Sequence, residues 1–150
     1  MNMRAHRAYA ATQRETAVSS ARPIDLVVMV YERLLDHLRS AQLQMAAGTD
    51  PVESLTKALE LITTGLESCL DMERGGEIAQ NLAAIYEWAS RDILRARLRR
   101  DPQLIQGVID AMNSLAQAWR QHAGLAEEAL NASAAPTMGT ASRAVATAMA

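Results

Sequence analysis

Apolar residues recur along this chain at intervals of three and four, the repeat that lines one face of a helix. Ile24, Val27, Tyr31, Leu34, Leu38, Ala41 and Met45 form the first such stripe. It predicts a helix from about Pro23 to Ala47, with Pro23 at the first position, where its missing N–H costs nothing, and Gly48 as the stop. Leu26, Met29 and Val30 make its opening turns apolar on more than that stripe. A second stripe, Leu55, Leu59, Ile62, Leu66 and Cys69, follows Asp50-Pro51-Val52-Glu53, a capping-box-like start. On this stripe Cys69 reads as a small buried hydrophobe. A third set, Ile78, Ala79, Leu82, Ile85, Tyr86 and Ala89, precedes an arginine-rich end that suits the negative pole of a helix dipole. Asp101-Pro102 opens a fourth helix whose inner face is Leu104, Val108, Met112, Leu115 and Trp119.

Helices of about 20 to 25 residues, roughly 30 to 37 Å long, joined by connections of a few residues, must run antiparallel to their neighbours. The expected fold is all-α, an antiparallel up-down-up-down four-helix bundle over residues 23–130. Residues 1–22 read as a mobile arm in which Tyr9 is a lone large ring amid weakly helical AHRAYAATQ. Residues 131–150 are small-residue, low-complexity sequence broken by Pro136 and Gly139, and read as a disordered tail.

Composition narrows the function. A hydrophobic fraction of 49% with 21% charged residues fits one globular domain, and a formal net charge of −2 gives no global attraction to nucleic acid or to a membrane surface. No apolar run approaches the roughly 18 residues of a spanning helix, and the N-terminus lacks the apolar core of a secretory signal, so a cytoplasmic protein without membrane insertion is expected. One cysteine excludes an internal disulfide, and His6, His37 and His122 complete no Glu-x-x-His pair, so no metal or cofactor is expected. No phosphate-cradling glycine loop or nucleophile elbow occurs, and a catalytic role is not expected. Arg91, Arg95, Arg97, Arg99 and Arg100 form the one dense basic patch and lack the aromatic interleaving of a single-strand nucleic-acid platform. Trp88 is offset from the main seam and reads equally as a boundary residue or a partner contact.

The most distinctive string is LDMERGGEIAQNLAAIYEW, Leu70 to Trp88. Gly75 and Gly76 can take the positive-φ conformations of a sharp turn. Ala79 and Ala83 would admit a neighbouring helix closely, Leu82 shares their stripe, and Asn81 and Tyr86 add polar tips. The pattern LDxExGGEIAxNLxxxY resembles the signature of the FliS family of flagellar secretion chaperones. Weaker anchors stand in the same order: Ala8-Tyr9, then Pro23 with Leu26, Met29 and Tyr31, and late in the chain Trp119. Arg22 stands where the family usually has a serine before the proline, which removes a side-chain cap, and Glu32-Arg33 replaces a common Asp-Gly.

The resemblance implies a helical bundle without catalysis that holds the disordered C-terminal segment of flagellin, prevents its premature polymerisation and helps deliver it to a flagellar export gate component. An amphipathic client would lay its apolar face in an interhelical groove. Leu26, Met29 and Val30, with the small-residue face at Ala79 and neighbouring Asn81, Leu82 and Tyr86, are the candidate walls. Tyr9 is the candidate cover of that groove in a free protein that is a monomer or weak homodimer. The competing reading is a non-catalytic adaptor for another amphipathic protein segment.

Overall fold

The computed structural model describes residues 22–132. Four helical elements follow in order: α1 Pro23–Ala46, α2 Val52–Glu60 with an irregular continuation to Cys69, α3 Gly76–Arg99 and α4 Pro102–Asn131. Polar contacts along the seams fix the directions. Arg22, at the start of α1, donates from Nη2 to the carbonyl of Ala123 near the end of α4 at 3.2 Å. Gln42, at the other end of α1, donates to Gln106 Oε1 at 2.9 Å, so these two helices are antiparallel neighbours. Gln44 of α1 accepts from Ser54 at the start of α2. Helices α1 and α3 run in the same direction and meet across the core. The all-α up-down-up-down bundle is therefore the observed architecture. The expected arm, with Tyr9, and the tail lie outside the described residues apart from their inner ends.

Tyr31, Leu34, Leu35, Leu38 and Ala41 of α1 are buried against Leu55, Ala58, Ile62 and Leu66 of α2. From α3 come Leu82, Tyr86, Ala89, Ile93 and Ala96, and from α4 Ile105, Val108, Met112, Ala116 and Trp119. Trp88 is half-buried and packs on the edge of this core, a boundary position. Ile78, expected on the inner stripe, is instead 42% exposed, because Ala79, Leu82, Tyr86 and Ala89 centre the face one residue further on.

The largest departure from a regular pattern is in the second helix. Leu61–Leu66 forms a π-helical turn and Glu67–Cys69 a short 3₁₀ turn. Thr63 and Thr64 turn their hydroxyls back onto the carbonyls of Leu59 and Glu60, at 2.9 and 2.6 Å, and such back-bonding loosens a helix locally. Gly65 lies in the same turn, and a Cβ there would sit 3.3 Å from Val30 Cγ1 of α1. Its missing side chain thus lets the two elements approach closely. A π turn inserts extra chain into the helix and slips the inward stripe. Cys69 is consequently exposed rather than buried, and Leu70 packs on the core in its place.

The helix starts are chemically distinct. Asp101 caps α4, accepting from the Gln103 N–H at 2.9 Å. Asp50 accepts from the Val52 N–H at 3.0 Å, so α2 begins one residue later than its Asp-Pro suggested, and Glu53 pairs with Lys57 rather than closing a capping box. Arg22 cannot accept a hydrogen bond as a serine cap would. Asp25 compensates: it takes the Arg22 backbone N–H at 3.2 Å and the guanidinium at 2.8 and 3.0 Å. That hydrogen-bonded guanidinium holds the Asp25 carboxyl below the usual carboxylate range.

Candidate functional site

Two sequence features singled out above, the double-glycine turn and the apolar opening of α1, lie at one end of the bundle. The turn is organised by Asp71, whose carboxylate accepts from the N–H groups of Glu73 and Arg74 at 3.2 and 2.9 Å, while its carbonyl accepts from Gly75. Only the second glycine needs the left-handed region, with Gly76 at φ 53°; Gly75 is right-handed at φ −75°. The motif thus reverses the chain within a few residues and starts α3 with its small face inward.

Ala79 and Tyr86 are fully buried and Leu82 nearly so, all three within the bundle interior. Asn81 points to solvent from the outer side of α3. Tyr86 Oη and Tyr31 Oη are hydrogen-bonded at 2.5 Å in the core. Burial pushes both phenols above their ordinary value; hydrogen bonding from Tyr86 and Trp119 partly opposes this at Tyr31, whereas the neighbouring Tyr31 reinforces it at Tyr86. Because Ala79 is fully buried, Ala79→Leu should overpack the seam and cost about 1–3 kcal/mol. A lowered thermal midpoint is the expected result.

On α1 the surface is different. Leu26 and Val30 are half-buried and Met29 is 41% exposed, while Ile24, Val27 and Val28 are also only partly covered. Val30 faces the π turn of α2 across Gly65. The same seam continues into a small cavity of about 230 Å³ lined by Arg33, His37, Lys57, Glu60, Leu61 and Thr64. His37 lies half-buried here. Burial first, and then the charges of Arg33 and Lys57, push its pKa down and favour the neutral ring. Nothing in the apolar repeat marks this seam, because it depends on where the π turn falls. Leu26, Met29 and Val30 share one face of α1, where Val30 meets α2 at Gly65, and Asn81 lies apart from them on α3. Met72, Ile78, Leu125 and Leu130 are further exposed apolar side chains toward this end.

Among the described residues no group of His, Cys, Asp and Glu could hold a metal ion, and no helix is long and apolar enough to cross a membrane. Fold and surface together define an all-α bundle with a closed core and an incompletely covered apolar end. The family model described as "Flagellar protein FliS" matches residues 5–126. A flagellar secretion chaperone FliS of Salmonella typhimurium is 41% identical over 118 residues, covering 77% of this chain and 87% of that protein. The FliS of Vibrio cholerae is 35% identical over 116 residues, 76% of this chain and 85% of its own length. That of Escherichia coli strain K12 is 37% identical over 116 residues, with the same coverage of 76% and 85%. The chain belongs to the FliS family of flagellar secretion chaperones.

Proposed function

We propose that this protein acts in the cytoplasm, without catalysis, as the export chaperone of a flagellin. It binds the disordered C-terminal region of flagellin, prevents premature polymerisation and assists delivery to the flagellar type III export gate. The observation that carries this reading, beside family membership, is the apolar surface that α1 leaves uncovered at Leu26, Met29 and Val30 next to the π turn of α2. A client segment that forms an amphipathic helix on contact would cover it, the usual mode for helix-in-groove recognition. Buried Ala79, Leu82 and Tyr86 serve this reading as part of the interior on which α1 rests, and Asn81, exposed and apart from that surface on α3, offers a separate polar contact. Coupled folding of such a client buries on the order of 1,000–3,000 Å² and gives a negative heat-capacity change. Calorimetry with a peptide of the flagellin C-terminal region should show saturable one-to-one binding with that signature. Absence of binding at about 100 μM peptide, with the chaperone folded, contradicts the proposal. Binding of an unrelated amphipathic peptide with equal affinity would favour a general adaptor instead.

A further inference from the structure

The opposite end of the bundle carries a second unpartnered surface of different chemistry. Arg91, Arg95, Arg97, Arg99 and Arg100 close α3, and all five are exposed. Of these five, only Arg95 has an acidic partner among the described residues, Asp92 at 3.4 Å. A helix dipole is complemented within its last turn, so the basic run begins earlier than that role requires. Interleaved with these cations are Leu94 and Leu98, 47% and 84% exposed. Beside them opens a cavity of about 450 Å³, with Met45, Pro51 and Val52 as apolar lining and Arg97, Arg100 and Asp50 as polar lining. The Asp50 carboxylate is already engaged by the Val52 N–H.

Arg100 adds an independent observation. It is the one non-glycine residue of positive φ among those described, at φ 52° and ψ 44°. Its N–H and that of Asp101 both donate to the Ala96 carbonyl, a helix-closing arrangement that ordinarily uses glycine. An arginine is thus kept in a backbone conformation that glycine would adopt without strain, and it lines the cavity.

We infer that this end of α3 and the adjoining cavity bind an acidic protein segment, its carboxylates on Arg97 and Arg100 and an apolar side chain in the cavity or against Leu94 and Leu98. Guanidinium–carboxylate pairing supplies the charge complementarity, and the leucines supply apolar contact that a nucleic-acid backbone would not use. A flat anionic membrane fits less well. The arginines radiate around the helix, because successive residues turn about 100°, and the cavity between them is concave. The inference does not depend on the client reading, which concerns the other end of the bundle, about 36 Å away along a 24-residue helix.

The test uses the full chain and a fluorescent peptide of about twelve residues built from glutamate and leucine. Its glutamine counterpart, phosphatidylglycerol vesicles and oligo-dT serve as the other probes. The acidic peptide should bind with a Kd of about 100 μM or tighter at low salt, and weaken as salt rises. Arg100→Gly should hold or raise the thermal midpoint while weakening that binding about fivefold or more, and Arg97→Ala should weaken it similarly. Met29→Glu should leave it unchanged, which separates this surface from the client site. Equal binding of the glutamine peptide overturns the inference. So does no binding at about 1 mM, unaltered binding by both arginine variants, or binding of vesicles or oligo-dT without the acidic peptide.

Discussion

Replacing Tyr86 with alanine should lower stability by about 3–5 kcal/mol, the usual result of emptying a buried aromatic site. In a bundle of this size that corresponds to a thermal midpoint lower by more than about 10 °C. Tyr86→Phe is the finer probe. It keeps the ring but deprives the buried Tyr31 hydroxyl of its Tyr86 partner, a cost of about 1–3 kcal/mol. The double variant Tyr31→Phe and Tyr86→Phe should be less destabilised than the sum of the single changes, because it removes both ends of the bond. Additive single effects would show that the two hydroxyls do not act as a pair. The same pair makes stability sensitive to alkali. Both phenols bind their protons more tightly folded than unfolded, where the ordinary value is 10.0. Their contribution is therefore fully present below about pH 10 and is lost as pH rises toward the raised folded values. Chemical denaturation at a series of alkaline pH values should show this fall, and the double phenylalanine variant should show less of it.

Introducing charge on α1 is expected to have the largest effect on function. Leu26→Glu combined with Met29→Glu should weaken binding of the flagellin C-terminal segment by about a hundredfold or more. Each apolar contact of this size is worth roughly 1.5–3 kcal/mol when fully buried, and a carboxylate in its place must also be desolvated. Met29 is already 41% exposed and Leu26 only half-buried, so the fold should tolerate the change. Unchanged affinity in the same calorimetry would place the client elsewhere. A collapse of the thermal midpoint would show instead that these side chains hold α1 in place.

Much of the bundle was legible in the spacing of apolar residues. The stripe of α1 and the Asp-Pro start of α4 appear as expected, since both are set by local rules of period and capping. The second helix was not legible in the same way. Its apolar residues keep a helical spacing through Cys69, yet back-bonding by Thr63 and Thr64 and the lack of a side chain at Gly65 accompany a π turn there. A repeat of three and four carries no trace of such a slip, so Cys69 and Leu70 exchange roles. Arg22 shows a similar limit. Read alone it is a poor cap, and only Asp25 three residues on, together with the Ala123 carbonyl from the far end of the chain, gives it bonds to make.

For the candidate site, apolar character alone could not divide core from surface. Ala79, Leu82 and Tyr86 looked as available as Leu26, Met29 and Val30, yet the first three face the interior and the latter three lie partly uncovered. What separates them is the angular position each helix takes in the bundle. The cavity at Arg97 and Arg100 was likewise hidden, because Met45 and Val52 reach it from other helices.

The most direct test of the client assignment is amide chemical-shift mapping of the chaperone titrated with the flagellin C-terminal segment. The shifts should concentrate on Leu26 to His37 of α1 and on Leu61 to Gly65 of the π turn, with the Arg91–Arg100 end unaffected. Shifts confined to that arginine-rich end, or binding that leaves α1 and the π turn unperturbed, would contradict it.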